Sequence, residues 1–476
     1  MSGREESHAY PFRSDPLHPY FPHAAILEIT GLSGGASVGR LFDVCRDQGA
    51  DLELVRAAAR LASEMFDAGH RSDALPVHPR EIAIGVAALD LDPRTPTRAE
   101  STVAALFEQI VARRPETADE IGRRLRANLT AAAGGLSLER SDAIDTALDI
   151  AGQVARAGQL SRQTAGNEVS LLLLRNIQET VLSLPSESVA PIRIAATMRR
   201  LQILPRAGSA EQEALLTAAE RLDMPLAADI GWSQAHDAIQ DSIFQRRAPN
   251  ARHEIIQQVE ARMGSGFYEN GERIISEGTQ YIEKLIREGA GPDVEVQGRL
   301  KQPGAIAGKM TRKAIPIEKM TDFLGFRIIV PGNDPADCRL IAEILKQRFI
   351  FDDEHTRNYF KKDDPRTSKP YQALHHVGTP CETADGVEPP ASLRGKMMEF
   401  QIRTETTHYN AEVGNASHRG YKEDLPLPAS LRRRIESIRE SLALRTVDAG
   451  FESGIMPIRP ASDGAVSRPP ALRYGS

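Results

Sequence analysis

The side chains that could do chemistry in this chain cluster between residues 294 and 422. The first group is cationic: Gly298-Arg299-Leu-Lys301, then Lys309, then Arg312-Lys313. Arg312 and Lys313 suit a solvated helix face. Arg299 and Lys301 suit it less, because Gly and Pro flank them and an alternating segment, expected to end near Gln297, precedes them. Cations at a strand end can clamp a polyphosphate and neutralise the charge that moves in phosphoryl transfer. The second group is Thr321-Asp322-Phe-Leu-Gly-Phe-Arg327-Ile-Ile-Val. A carboxylate at the lip of a buried strand is where a Mg²⁺ ligand sits in phosphotransferases, and equally where an ordinary turn residue sits.

Three further segments follow. In Met397-Met-Glu399-Phe-Gln401-Ile-Arg403 the alternation sends Met398, Phe400 and Ile402 to one side and Glu399, Gln401 and Arg403 to the other. An antiparallel strand with one solvated face has this pattern, and so does a strand whose charged trio lines a cleft. Lys369-Pro-Tyr371-Gln-Ala-Leu-His375 reads as a loop whose Tyr and His could stack a base and touch a phosphate. His408 and Glu412 are four apart and share a helix face, with His418, Tyr421 and Lys422 beyond them.

Other matches fail on spacing. Gly304-Ala-Ile-Ala-Gly-Lys309-Met has three residues between its glycines, where a phosphate-cradling P-loop has four. It also has Met310 where Ser or Thr would meet Mg²⁺. What remains of it is a lysine after a flexible turn. His253-Glu254 lacks the second His of a zinc-protease helix, and His236-Asp237 reads as a surface pair on a helix.

The elements that must carry these groups change texture along the chain. Residues 1–24, with four prolines and three irregularly spaced histidines, read as a flexible leader. From 25 to 250 Ala and Leu recur at three- and four-residue steps, as in Leu54, Ala57, Ala58, Leu61 and Ala62, which predicts eight or more helices. Residues 251–290 read as linking helices, broken near Gly264–Gly266 and Gly271. From 291 to 425 short alternating segments mix with helical ones such as 337–349, which predicts an α/β domain. Residues 426–476 read as a helix and a disordered tail.

Composition bounds the rest. The 476 residues are 41% hydrophobic and 26% charged, ordinary for a globular protein. Net charge is −6, so no general basic footprint for duplex nucleic acid is present. Residues 291–425 carry 20 Lys and Arg against 20 Asp and Glu, so the acidity lies outside them. Cys45, Cys338 and Cys381 are too few and too scattered for a disulfide framework or a CxxC zinc site, and they suit a reducing cytoplasm. No apolar run is long enough for a membrane span, and the amino terminus has no run of signal-peptide type. Delivery as a secreted effector and assembly as a homo-oligomer stay open.

In order and spacing, the chemical segments resemble the synthetase domain of the RelA/SpoT family, the alarmone (p)ppGpp synthetases. The matching stretches are Gly298-Arg299-Leu-Lys301 with Lys309-Met310, Asp322-Phe-Leu-Gly325-Phe-Arg327-Ile and Pro370-Tyr371-Gln-Ala-Leu-His375. Glu399-Phe-Gln401-Ile-Arg403-Thr404 and His408 through Lys422 complete the set. The resemblance implies a nucleotidyltransferase-like mixed sheet with flanking helices. It implies transfer of the β,γ-pyrophosphate of ATP to the 3′-hydroxyl of GDP or GTP with Mg²⁺. By that likeness Arg299, Lys301, Lys309 and Arg327 hold ATP, and Asp322 and Glu399 are the catalytic and metal-binding carboxylates. Tyr371, His375, Lys369, Gln401 and Arg403 meet the acceptor.

The helical half resembles, more faintly, the family's Mn²⁺-dependent HD hydrolase domain, in Pro76-Val-His78-Pro79-Arg-Glu-Ile-Ala83 and Ile192-Arg-Ile-Ala-Ala196. Only His78 remains of the metal ligands, and Ala196 stands where the late Asp belongs. One histidine cannot hold Mn²⁺, so this half is expected to be a hydrolase-like scaffold without hydrolase activity. The synthetase-like half also departs from the pattern. Ala305 replaces a serine, Lys369-Pro370 replaces Asn-Gly, Arg357-Asn358 replaces Lys-Asp, and Arg419 replaces a Trp. These changes gather around the acceptor. They leave two alternatives: the same transfer to adenosine nucleotides or the 3′ end of tRNA, or a non-catalytic nucleotide-binding effector.

Overall fold

The computed structural model describes Cys45 and residues 51–69, 98–133, 136–164, 169–203, 210–230, 232–289, 291–360, 371–381 and 388–412, with six residues between 431 and 438. The leader, His78, Lys369-Pro370, Arg419 and the His418-to-Lys422 segment lie outside these residues.

The first part is all helical: α1 (Leu52–Gly69), α2 (Arg98–Arg113), α3 (Ala118–Ala133), α4 (Leu138–Gln163), α5 (Leu171–Leu182) and α6 (Val189–Ile203). Then come α7 (Ala210–Ala218), a π-helical turn (Ala219–Asp223), α8 (Met224–Asp229) and α9 (Ser233–Arg247). Ser137 and Ser170 start α4 and α5 by accepting hydrogen bonds from the amides of Arg140 and Leu173, which satisfies helix-end donors. The three- and four-residue steps put Leu54, Ala58, Leu61 and Ala62 in one buried cluster with Leu106, Phe107, Ile144 and Ile192. Leu431, Ile435 and Ile438 join that same cluster. Arg434 fixes them there by donating to the carbonyls of Leu184 (2.8 Å) and Pro185 (2.5 Å).

At the centre of the helical part, Arg193 meets Asp223 through Nε (2.7 Å) and Nη2 (2.8 Å), and Thr197 adds a hydrogen bond of 2.9 Å to the same carboxylate. Ala196, between Arg193 and Thr197 on α6, is buried.

Two linking helices follow, α10 (Pro249–Met263) and α11 (Gly271–Glu288), with the break at Gly264 and Gly266, both in the positive-φ region. Beyond them lies a six-stranded mixed sheet: β1 (Glu295–Leu300), β2 (Leu324–Val330), β3 (Phe349–Phe351), β4 (Arg357–Asn358), β5 (Leu374–Pro380) and β6 (Met398–Thr404). Its order is β1-β2-β6-β5-β3, with β4 on β5; β2 and β6 are parallel and the other pairs antiparallel. Helices α12 (Pro303–Lys313) and α13 (Pro335–Lys346) lie in the β1–β2 and β2–β3 connections, and α14 (Glu405–Glu412) follows β6.

One face of the sheet is apolar. Phe326, Ile328, Phe400 and Ile402 pack there with Ile274, Ile282 and Leu285 of α11 and Ile341 and Leu345 of α13. Close approach of α11 depends on Gly278, where a Cβ would lie 2.3 Å from the Phe326 ring. Cross-strand register then sends alternate residues to the opposite face. There Gln297 lies opposite Arg327, Arg327 opposite Gln401, Gln401 opposite His375 and His375 opposite Arg357, a polar row across five strands.

Three local readings change. The first strand runs to Leu300, so Gly298 and Arg299 are within it. Residues 303–313 are helix, so Lys309 is held on a helical turn and not on a flexible one. His375 is on β5 and not in a loop. Gly and Pro mask the helix at 303–313, although Pro303 is favourable in a first turn. Leu374-His-His-Val-Gly-Thr-Pro has no two-residue apolar period to betray a strand.

Candidate active site

One end of the candidate site is built where β1 and β2 meet. Arg299, near the end of β1, pairs in register with Gly325 of β2, and Lys301 follows immediately. The Lys301 amide donates to the Phe323 carbonyl at 2.8 Å, which keeps the two strand ends zipped up to Asp322. Asp322 Oδ2 accepts from Lys301 Nζ at 2.5 Å and from Lys309 Nζ at 2.7 Å. Burial would raise the Asp322 carboxyl, but the two ammonium groups outweigh it and hold it well below the usual carboxylate range. Burial also lowers Lys301, against the pull of Asp322. Arg312 and Lys313 are exposed on the far turn of α12.

The loop that carries Asp322 is held from α10. Arg262 donates to the carbonyls of Ile317 (2.8 Å) and Met320 (3.1 Å), and its guanidinium lies 5.2 Å from the Phe323 ring centroid. Tyr268 donates to the Lys301 carbonyl at 3.0 Å. These supports come from residues with no motif of their own.

Glu399 sits beside Gly325 across the parallel β2–β6 pair. Asp322 is close enough for its charge to oppose ionisation of Glu399. Both carboxylates therefore stand at the same end of adjacent parallel strands. Glu399 Oε1 is 3.1 Å from His375 Nδ1, and Oε2 accepts from Gln401 at 3.1 Å. Burial would raise the Glu399 carboxyl, yet the hydrogen bond and charge of His375 bring it down to about 2. His375 responds in the opposite sense. Burial lowers it, but Tyr371 and Glu399 together raise it above its ordinary value.

His375 Nε2 lies 2.7 Å from the Tyr371 hydroxyl, which also accepts from Arg403 Nη2 at 2.7 Å. The Arg403 guanidinium is 4.9 Å from the Tyr371 ring centroid, and the Tyr359 ring meets Tyr371 edge-on at 5.4 Å. Arg403 also donates to Gln401 Oε1 at 2.9 Å. The result is a continuous chain from Arg403 through Tyr371 and His375 to Glu399. The alternating face of β6 thus lines a protected cleft and is not a solvated face, for Arg403 is only 4% exposed.

The fold gathers Arg299, Lys301, Lys309 and Asp322 at one end, with Glu399, Gln401, Arg403, Tyr371 and His375 on the adjoining face. Arg327 stands in the polar row between Gln297 and Gln401. His408 is on α14, beyond the end of β6. Lys369 is outside the described residues. Tyr359, which the sequence did not single out, packs on both Tyr371 and His375.

The donor end suits a divalent cation shared with a substrate. Asp322 Oδ1 is buried and takes no hydrogen bond, so a lone pair stays free although Oδ2 serves two lysines. Among the described residues no three His, Cys, Asp or Glu side chains gather as a closed metal cage. A Mg²⁺ held by one or two carboxylates and substrate phosphates needs no such cage.

Residues 298–425 match the family model described as a region found in RelA / SpoT proteins. A guanosine-3′,5′-bis(diphosphate) 3′-pyrophosphohydrolase of Aquifex aeolicus is 32% identical over 190 residues, 37% of this chain and 25% of that protein. A GTP pyrophosphokinase of Photobacterium angustum is 24% identical over 57% of this chain and 33% of its own length. A probable chloroplastic GTP diphosphokinase of Arabidopsis thaliana is 23% identical over 58% of this chain and 35% of its own. The chain thus spans between a quarter and about a third of the length of these relatives. A solved GTP pyrophosphokinase family protein from Streptococcus pneumoniae is 20% identical, over 38% of this chain and 89% of that one, with a TM-score of 0.22. The chain carries a RelA/SpoT region over residues 298–425.

Proposed function

We propose that this protein is an ATP-dependent pyrophosphokinase that makes (p)ppGpp from GDP or GTP. The observation that carries the reading is the pairing of the two carboxylates. Asp322 is ringed by donor-side cations, and Glu399 is held ionised by His375 at the neighbouring strand end.

In this reading Lys301, Lys309 and Arg299 take the donor phosphates, with Arg327 deeper on the same face. Asp322 and Glu399 would hold Mg²⁺, which when bound neutralises phosphate charge. Glu399 receives the proton of the acceptor 3′-hydroxyl. The 3′-oxygen then forms a bond to the β-phosphorus of ATP, the bond from the α-phosphate bridging oxygen to that phosphorus breaks, and AMP leaves. Such a transfer demands chiefly alignment and charge neutralisation, and a fixed carboxylate with nearby cations supplies both. Tyr371, Gln401, Arg403 and Lys369 address the acceptor, and His375 keeps Glu399 aligned.

The helical half, on this reading, does not hydrolyse the product. Support comes from Ala196, buried at the position of the late Asp ligand, and from the neighbouring Arg193–Asp223 ion pair. The reaction belongs in the cytoplasm, where both nucleotides are held. The free thiols Cys45, Cys338 and Cys381 suit that setting, and among the described residues no helix is long and apolar enough to cross a membrane.

A second reading, the same transfer to adenosine nucleotides or a tRNA 3′ end, is favoured by one observation. The Tyr371 ring already packs against Arg403 and Tyr359 where a guanine would stack. One assay separates them: Mg²⁺ and labelled ATP with GDP, GTP, ADP or tRNA. The expected result is label on the 3′-hydroxyl of GDP and GTP with release of AMP, and none with Asp322→Ala or Glu399→Ala. Label only on ADP or tRNA selects the second reading. No transfer to any acceptor overturns both and leaves a nucleotide-binding effector.

A further inference from the structure

We propose that helix α9 of the helical half is a positioning element of the donor-phosphate site, through Asp241 at the amino end of α12. The inference rests on the donor-site reading above and assigns a role to the helical half.

Helix α12 carries Lys309, yet its own N-cap residue, Gln302, makes no side-chain cap. The first amides of a helix need acceptors, and a carboxylate is the strongest of these. Here the acceptor comes from 63 residues upstream: the Gly304 amide donates to Asp241 Oδ1 at 2.8 Å, a buried hydrogen bond. Asp241 is itself fixed from α10, where Arg252 Nη2 donates to Oδ2 at 2.9 Å.

The two helices touch at backbone distance. A Cβ at Gly304 would lie 2.7 Å from Asp241 Cα, and one at Gly308 2.7 Å from Gln240 Nε2. Only glycine permits the approach at Gly304, where the neighbour is backbone; at Gly308 the neighbour is the end of the Gln240 side chain. Gly308 adjoins Lys309, so the contact runs from the helix start to the lysine. A shift of α9 therefore moves the backbone that sets Lys309 against Asp322.

One turn earlier on α9, Asp237 is a second carboxylate, paired with His236. Burial would raise its carboxyl, but the hydrogen bond from His236 Nδ1 (3.0 Å) and the charges of His236, Arg299 and Lys301 bring it below its ordinary value. His236-Asp237, which reads as a surface pair in sequence, is a partly exposed pair on α9. Asp237 and Asp241 are four apart and share one face.

The test uses the full chain with Asp241→Ala, Asp241→Asn and Gly304→Ala. Amide hydrogen exchange over residues 303–313, without nucleotide, reads the position of α12. Binding of a non-hydrolysable ATP analogue with Mg²⁺, and separate KM values for ATP and acceptor, read the donor site. Asp241→Ala is expected to speed exchange in the first turn of α12 and to weaken analogue binding and raise the ATP KM about tenfold, the scale of one buried charge-assisted hydrogen bond. The acceptor KM should stay unchanged. Asn keeps an acceptor for the Gly304 amide and should recover most of the loss. If Asp241→Ala does not fold, Gly304→Ala carries the same expectation, because its methyl pushes the helices apart. Unchanged exchange overturns the proposal, and so does faster exchange with unaltered analogue binding. A wild-type chain that binds no ATP analogue overturns the donor-site reading itself, while exchange still reports separately on Asp241.

Discussion

His375 Nδ1 stands 3.1 Å from Glu399 Oε1, while the opposite ring nitrogen lies 2.7 Å from the Tyr371 hydroxyl. The imidazole therefore bridges the acceptor-side aromatic and the carboxylate assigned as base. Each partner shifts the other toward its charged form: His375 is raised and Glu399 falls to about 2.

This pair sets a pH dependence. A carboxyl lowered on folding contributes above its ordinary value and is lost only as pH falls through its folded value, here near 2. A histidine raised on folding contributes fully below its ordinary value of about 6.5 and is lost as pH rises through its higher folded value. Turnover is expected to show no acid limb in the ordinary carboxylate range, and an alkaline limb above pH ~6.5. His375→Gln should remove that limb and lower kcat about tenfold. A limb in kcat/KM between pH 4 and 5, or one that survives His375→Gln, contradicts this assignment.

Tyr371 separates hydroxyl from ring. Tyr371→Phe keeps the surface that packs on Arg403 and Tyr359 but loses the hydrogen bonds with Arg403 and His375. It should reduce kcat about tenfold with little change in acceptor KM, whereas Tyr371→Ala should raise acceptor KM as well. Steady-state kinetics with acceptor varied at saturating ATP decides, and a Tyr371→Phe variant that behaves as wild type would assign Tyr371 to packing alone.

Asp322 carries stability as well as chemistry. Asp322→Asn leaves Lys301 and Lys309 side by side, both less than one-fifth exposed, without the carboxylate they share. The expected cost is about 1–3 kcal/mol in denaturant unfolding, with turnover down by about 10²–10³. The Asp322 carboxyl is lowered by folding, so its contribution is present above the ordinary value of about 3.9 and fades as pH falls below it. The wild-type and variant unfolding curves should therefore converge only in strong acid.

Gly278 tests the apolar face apart from the chemistry. Gly278→Ala would place a methyl 2.3 Å from the Phe326 ring, whose own strand carries Arg327 and adjoins Glu399. Overpacking of this kind costs about 1–3 kcal/mol, and a thermal melt should show it as a clear fall in Tm. An unchanged melt would mean that α11 is free to move away from the sheet.

The helical half holds a comparable centre. Arg193 and Asp223 are both almost fully buried, so removal of one partner strands a charge. Asp223→Ala should destabilise by about 3–5 kcal/mol, measured in denaturant, with a larger effect than Asp237→Ala at a partly exposed position.

Residue order alone determined much of the candidate chemistry. Arg299, Lys301, Asp322, Glu399 and Arg403 are legible because the strands that carry them are short, and strict two-residue alternation sorts Glu399, Gln401 and Arg403 from Met398, Phe400 and Ile402. Periodicity likewise exposes the helical half, through Leu54, Ala58 and Leu61. Tertiary structure decided the rest. Whether the Glu399 face was wet or enclosed depended on β2 and β5 flanking β6, and those pairings join residues 74 and 22 positions away. Lys309 proved helical because Asp241 caps its helix from another part of the chain. Asp241, Arg262 and Tyr359 carry no local signature, since they act by reaching residues distant in sequence. Local periodicity reports which face of an element is buried; it does not report what that face meets, because contact between distant segments is set by how whole elements pack.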